Sequence, residues 1–330
     1  MFLIVTIDLE TSYSTEIRTG RTDLVDVMIF GLYNGKRYGF QKIMEICNEN
    51  SIKAVFFVSN LDSSKFGEDV FQSICAEIIA EGHDVQIHTH PVRLFNDGRE
   101  HMWQYSLDEQ MMILRTALEQ IKRWTGEDPV AHRAGAYGVD EDTFVALREV
   151  GIPIDSSSFY GHRNCRAVIT KNEVVEYKGI VEVPITIFQR SRRVRLGNWT
   201  SRRESNFVKT DIDAAGLDEL KSFVQQAKEN NIKLMNLFLH SYSFLKFDAN
   251  FTHFEPDWED IEKFDKFLSF VVSDPEIRVI TMREFYRLYQ ENPEQFQGSD
   301  YVPIVNYDEP FKPVKYGVRR AKSIIQRLVS

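Results

Sequence analysis

The sequence predicts an α/β fold, a distorted, TIM-like seven-stranded (β/α) barrel with loop insertions, and three observations carry that prediction. Short apolar runs alternate with helix-patterned segments, an order that implies parallel strands with helices outside them. Seven such runs occur, a number that suits a barrel better than an open sheet. Three long stretches break the rhythm, and in barrels insertions after strands usually build the binding face.

The strands are expected over residues 2–9, 53–58, 84–89, 130–134, 152–156, 234–241 and 277–281. Helices are expected over 39–50, 69–81, 106–124, 140–150, 213–230, 257–272 and 282–289. Ser106 followed by Glu109 reads as a capping box. Asp140 opens a helix for which Gly151 is the C-cap. The interrupting stretches are 11–37, 92–105 and 160–211. The last holds a hairpin, 173–177 with 181–188, and a basic run containing Arg190, Arg192, Arg193, Arg195, Arg202 and Arg203. The barrel is assigned to residues 1–295 and a C-terminal extension to 296–330.

Composition bounds the function. The chain has 330 residues, 43% of them apolar, and a net charge of −9. A large core is therefore available, and a general nucleic-acid binder is disfavoured, because phosphate binding needs positive fields. Cys47, Cys75 and Cys165 are too few and too scattered for a disulfide framework or a zinc finger and read as small core residues in a reducing compartment. The N-terminus runs straight into an apolar strand, with no leader pattern, and no stretch approaches a membrane span. The expected location is the cytoplasm, and the Asn-x-Thr triplets at Asn198 and Asn250 then carry no glycosylation meaning.

The chemistry concentrates at strand ends. Asp8 and Glu10, two residues apart, face one side at the end of the first strand. His88 and His90 do the same at the end of the third, and neutral imidazole is the commonest protein ligand for zinc. His83 lies before that strand and reads as structural. Arg133, in the turn His132-Arg133-Ala134-Gly135-Ala136-Tyr137-Gly138, can hold a carboxylate with two hydrogen bonds. Gly135 and Gly138 let backbone approach a ligand, and a backbone N–H there can stabilise an oxyanion. His240 ends a buried-type strand and suits proton donation. Each feature alone has an ordinary structural alternative: a solvated strand end, a surface histidine pair, a salt-bridged arginine, a satisfied histidine.

Taken in order over roughly residues 1–290, these motifs resemble the polysaccharide deacetylase family (the NodB-homology domain, carbohydrate esterase family 4). Thr6-Ile7-Asp8 is similar to its Thr-Phe-Asp-Asp motif. Gly82-His83-Asp84 through His88-Thr89 is similar to the second, in which Gly-His-Glu leads into His-Thr-x-x-His. The run from Arg133 to Tyr137 resembles the third, 151–157 the strand that follows, and Leu239-His240-Ser241 the last. The resemblance implies a divalent metal, usually zinc, and removal of N- or O-acetyl groups from sugars. It places Asp8 as base, His88 on the metal, Arg133 orienting the base, Tyr137 near the oxyanion donor and His240 as acid. Two family ligands fall instead on Leu9 and Val92. Glu10 and His90 are the nearby substitutes, giving Glu10, His88 and His90 as metal ligands; alternatively Asp8 itself binds the metal and the base is unassigned.

Three functions follow as expectations: deacetylation of a sugar in envelope glycan assembly, lipopolysaccharide included; hydrolysis of a non-sugar C–N bond, as in the allantoinase-like branch; or glycan binding by a barrel without metal. The expected substrate is an acetylated sugar, nucleotide- or lipid-linked. Beyond Glu309 the chain has no acid and six basic residues, with Val318, Ala321, Ile325 and Leu328 at helical spacing. That pattern fits either a basic amphipathic helix on a membrane over 312–330 or one packed on protein.

Overall fold

The computed structural model describes residues 1–307 apart from 168, 197 and 198; the helix expected in the C-terminal tail lies outside the described residues. Seven parallel strands form the central sheet: β1 (Phe2–Leu9), β2 (Val55–Val58), β3 (Asp84–Thr89), β4 (Ala131–Ala134), β5 (Ile154–Asp155), β6 (Ile180–Glu182) and β7 (Leu234–His240). Their order is β7-β1-β2-β3-β4-β5-β6, the curled sheet of a distorted (β/α) barrel.

Both sheet faces are buried, which is why the strands are apolar runs rather than alternating ones. Leu3, Val5, Ile7 and Leu9 of β1 point outward into the core under the helices, with Phe56, Val58, Val85, Ile87, Leu237 and Leu239. The alternate residues Ile4, Val55, Phe57, Ala131, Ile154, Val181 and Leu234 fill the barrel. Met282, Phe285 and Leu288 of the helix Met282–Glu291 join them together with Phe296, and plug one end. The polar chemistry is thereby confined to the other end, beyond the C-termini of the strands.

The seam between β6 and β7 is not a continuous ladder. It is stitched by Thr186 and Thr210: Thr210 N donates to Thr186 O at 2.8 Å, and Phe238 N donates to Thr210 O at 2.8 Å. Asn236 N adds a bond to Thr186 Oγ1 at 2.8 Å.

Several expectations need correction. Residues 277–281 do not supply the seventh barrel strand. Arg278–Val279 pairs only with Phe2 and Leu3 at the foot of β1. The seventh strand comes from the hairpin, where Val175–Tyr177 turns back into Ile180–Glu182. Lys178 and Gly179 both have positive φ (52° and 81°), the requirement of a tight two-residue turn that matches strand twist. The helix expected from residue 213 begins at Leu217, which frees Asp211 and Asp213 for the site. Both predicted caps are present: Ser106 with Glu109, and Asp140 with Gly151 in the left-handed conformation. All three cysteines are free and buried. Strand Ile304–Tyr307 pairs in parallel with Ile187–Leu196, so the first part of the C-terminal extension is tied to the insertion.

Candidate metal centre and its surroundings

Register brings the predicted residues together. Asp8 lies opposite His240 in the β1–β7 pair, and His88 lies opposite Arg133 in the β3–β4 pair. Glu10 and His90 each follow the last residue of their strand.

Glu10, His88 and His90 form one cluster, their donor atoms all within 4.8 Å of one another. Glu10 Oε2 is 2.9 Å from His88 Nε2 and 2.5 Å from His90 Nε2, and the two Nε2 atoms are 3.1 Å apart. His88 Nδ1 sits 2.9 Å from the carbonyl oxygen of Arg133. That oxygen can only accept, so Nδ1 carries the hydrogen, and Nε2 is left free to present a lone pair to the site. A carbonyl partner of this kind fixes ligating histidines. A four-coordinate zinc with bonds of about 2.1 Å spaces its donors by roughly 3.4 Å, so a small opening of this cluster accommodates such an ion.

The electrostatics agree with a cation site. Burial alone would raise the Glu10 carboxyl, but His90 and His88 outweigh it and hold Glu10 well below the usual carboxylate range. Burial would lower His88, yet Asp8 and Glu10 raise it. The cluster therefore favours one positive charge held between acids and imidazoles, a role open to a proton or a metal. Gly135 makes the room. A Cβ there would lie 2.5 Å from His90 Nδ1 and 2.7 Å from Nε2, so any side chain at 135 would collide with the ring.

Asp8 stands beside this cluster, its Oδ2 3.8 Å from His88 Nε2. Its Oδ1 accepts from Arg133 Nη1 at 2.7 Å. The fully buried Arg133 spends its other donors on Thr6 Oγ1, Ser156 O and Ser156 Oγ, and lies over Phe57 at 4.0 Å. Anchored by these bonds, the guanidinium can hold the Asp8 carboxylate in one orientation.

His240 faces the cluster from β7, with Nε2 3.9 Å from Glu10 Oε1. Its ring stacks on Tyr242 at 4.8 Å, and Tyr242 donates to Glu10 Oε1 at 3.3 Å. Burial, reinforced by the Lys209 charge, pushes the imidazole down to about 4, so it is neutral near pH 7.

Behind His240 lies a group that the motif reading missed. Asp211, Asp213 and His240 place ligand-type atoms within 4.8 Å of one another. Lys209 Nζ pairs with Asp211 Oδ2 at 2.8 Å and rests on the Phe238 ring at 3.5 Å from its centroid. Burial and the Asp211 charge push the Asp213 carboxyl well above its usual range. The spacing Asp211-x-Asp213 repeats that of Asp8 and Glu10 and was the available signal; it was hidden by placing Asp213 inside a helix.

Tyr137 points to the Lys209 wall: Lys209 Nζ lies 5.9 Å from its ring centroid and donates to its hydroxyl. It is buried against Phe159 at 5.0 Å and His162 at 4.9 Å. Ala136 and Tyr137 both adopt left-handed φ (50° and 60°), costing about 1–2 kcal/mol each; strain of this kind concentrates at functional sites. His83 is structural, accepting from Ala54 N at 3.0 Å through Nδ1.

The fold is a distorted (β/α) barrel with a cluster of ligand-type side chains at the C-terminal ends of its strands. Residues 34–154 match the family model described as polysaccharide deacetylase. No curated protein sequence matches the chain. Among solved structures, it is similar to a Mycobacterium smegmatis protein assigned as a polysaccharide deacetylase, at 15% identity and a TM-score of 0.59, covering 94% of each chain. It is also similar to a Pseudomonas aeruginosa PAO1 protein with the same assignment, at 11% identity and a TM-score of 0.52, covering 88% of this chain and 91% of that one. The allantoinase Puue matches at 10% identity and a TM-score of 0.54, covering 88% and 90%. At such identities the likeness carries the fold alone.

Proposed function

We propose that the chain is a metal-dependent hydrolase that removes an N-acyl group, acetyl in the first instance, from a sugar of envelope glycan biosynthesis. One observation carries the reading: three ligand-type atoms converge beside a carboxylate clamped by a fully buried arginine. Glu10, His88 and His90 would hold the divalent ion, with zinc the best match to two imidazoles and a carboxylate. Such an ion, when bound, polarises a carbonyl and acidifies water.

The chain's own residues supply the rest. Asp8, oriented by Arg133, is placed to take a proton from an attacking water. His240, on the opposite wall of the cluster, is placed to deliver a proton to the departing nitrogen. Its proton affinity, lowered by burial and the Lys209 charge, makes it a ready donor once it has taken up the proton that Asp8 removes from the water, so that this proton ends on the departing nitrogen. The backbone of the Gly135–Tyr137 turn is the oxyanion donor in this reading. The substrate is an acetylated sugar carried on a nucleotide or lipid, and the reaction takes place in the cytoplasm. No helix among the described residues is long and apolar enough to cross a membrane.

Elemental analysis joined to acetate release across a panel of acetylated sugars tests this. Expected are about one metal per chain, release from at least one sugar, and loss of both in His88→Ala. Metal without sugar turnover, but with turnover of a cyclic or linear non-sugar amide, would move the assignment to other C–N bonds. A metal-free protein that His88→Ala alters only in stability would leave a glycan-binding barrel.

A further inference from the structure

The segments that follow β1 and β7 meet in a cavity that the proposed chemistry does not use. After β1, Leu32–Tyr33 pairs with Lys36–Arg37 in a small hairpin. After β7, Leu245–Phe247 pairs with Phe254–Pro256 in a second. The hairpins touch where Tyr33 packs on Phe254, with ring centroids 6.1 Å apart. Between them and the first turn of helix Trp258–Ser273 lies a cavity of about 360 Å³, whose lining includes Tyr33, Tyr38, Trp258, Glu255, Asp257 and Glu259. Small-molecule sites have volumes of this order and are mainly aromatic, with a few placed polar groups. The Tyr38 and Trp258 rings form a corner, their planes at 85° and their centroids 5.5 Å apart. Trp258 is 61% exposed, although tryptophan is highly buried on average. Backbone holds the corner: Tyr38 N donates to Gly31 O at 3.1 Å and Gly39 N to Phe30 O at 3.0 Å. A Cβ on Gly39 would overlap the Ile29 carbonyl oxygen, so this crossing of the chain needs glycine.

The polar half of the lining is acidic. Lys246 is the one cation in it among the described residues, and it faces Glu255 across its hairpin at 3.7 Å. The side chains of Asp257 and Glu259 make no hydrogen bond or salt bridge among the described residues. An acid such as Glu259 in a first helical turn is ordinary, because it complements the helix dipole. Asp257 is not accounted for in that way, since it occupies the N-cap position without a cap bond from its side chain. Asp260 registers the excess of negative charge. Burial first, and then the Asp257 and Glu259 charges, push its carboxyl up to about 6 against the pull of Lys263. Three carboxylates thus share one ammonium beside three aromatic rings. An anion would be repelled here. A neutral apolar guest would cover half-buried Asp257 without giving it a partner, which costs free energy. A bare metal ion is not favoured either, because the three-donor groups among the described residues lie elsewhere. A cation with an organic periphery suits both halves: aromatic rings, tryptophan most of all, attract positive charge over their faces, and the carboxylates balance it.

We propose that this cavity is a binding site for a substituted ammonium ion. Two sources share that chemistry, the protonated amine of a deacetylated sugar and a methylated ammonium of the choline type, and the test separates them. The full chain is titrated with glucosamine and with choline, each beside a neutral counterpart: N-acetylglucosamine, and the isostere of choline with carbon in place of nitrogen. Calorimetry measures the affinity, and the Trp258 indole N–H signal in NMR reports the place. Expected is binding of at least one of the two cations, with its neutral counterpart weaker by about tenfold or more. Salt should weaken the binding, because the carboxylates are partly exposed. Trp258→Ala should reduce the affinity by about tenfold, the worth of one cation–π contact, and Trp258→Phe by less. Asp257→Asn with Glu259→Gln should remove the preference for the cation over its neutral counterpart. His88→Ala should bind the cation as the parent chain does, which separates this cavity from the metal centre and makes the result independent of the deacetylase assignment. Failure of both cations to bind overturns the proposal. So does equal binding of the neutral counterparts, or binding that neither Trp258→Ala nor the amide pair reduces. The amide pair keeps side-chain size, so it decides the matter should Trp258→Ala fail to fold.

Discussion

Gly135→Ala isolates the geometry of the candidate metal centre from its chemistry, because it changes no ligand. The added Cβ would stand 2.5 Å from His90 Nδ1, where ordinary contact begins at 3.4 Å. The imidazole must retreat by about 0.9 Å or rotate away, since core side chains have little free volume to absorb the clash. Gly135 does not have positive φ, so alanine adds no backbone strain, and the loss of stability should stay within about 1–3 kcal/mol. Displacing one ligand of three should weaken metal binding by about 10–100-fold, the range seen when a ligand's support is removed. Isothermal titration of the metal-stripped protein with zinc measures the affinity, and thermal unfolding without metal measures the fold. The reasoning is refuted if Gly135→Ala binds zinc as tightly as the parent chain. It is refuted equally if His90→Ala has no effect, because then the ring that glycine accommodates is not a ligand.

Other perturbations test the surrounding shell. Glu10→Gln keeps the size but removes the charge between two imidazoles, and should abolish stoichiometric metal; elemental analysis showing full occupancy would exclude Glu10 as a ligand. Arg133→Met leaves the Asp8 carboxylate buried without its partner, at a cost of about 3–5 kcal/mol; an unchanged denaturation midpoint would contradict the clamp. Asp211→Asn removes the carboxylate partner of half-buried Lys209, and should lower turnover more than substrate affinity if His240 depends on this wall. Acid stability should fall through His83, which burial pushes down to about 4. Its folded value lies below the ordinary 6.5, so its contribution is complete above pH 6.5 and is lost as pH falls towards 4. The size is up to about 3 kcal/mol at 1.36 kcal/mol per unit. Asp84, pushed up to about 6 by burial, acts oppositely, its contribution being lost as pH rises through 6. Urea titrations at pH 7 and 4.5 should therefore show a flatter acid limb in His83→Gln, and an unchanged slope would refute the assignment.

Much of this was legible because strands buried on both faces must be apolar throughout, and their polar ends then stand out. Asp8, Glu10, His88, His90, Arg133 and His240 could each be found as a polar residue closing such a run. Lys209, Asp211 and Asp213 close no such run, because they sit where the chain crosses the seam between β6 and β7, and the Asp211-x-Asp213 spacing is their one local mark. No period marks a residue whose position is set by single hydrogen bonds such as Thr210 N to Thr186 O. The misplaced seventh strand has the same origin. Residues 277–281 and 180–182 are both short apolar runs, and local pattern cannot tell which one pairs with β5.

The sequence by itself determined the fold class and which polar side chains close the strands, because side-chain alternation and strand termination are local properties. Only the tertiary structure decided that Glu10 and His90 meet His88 within 3.1 Å, that Gly135 vacates the space for them, and that Arg133 spends itself on Asp8. Those facts depend on register between strands separated by dozens of residues. Register is set by how the whole core packs.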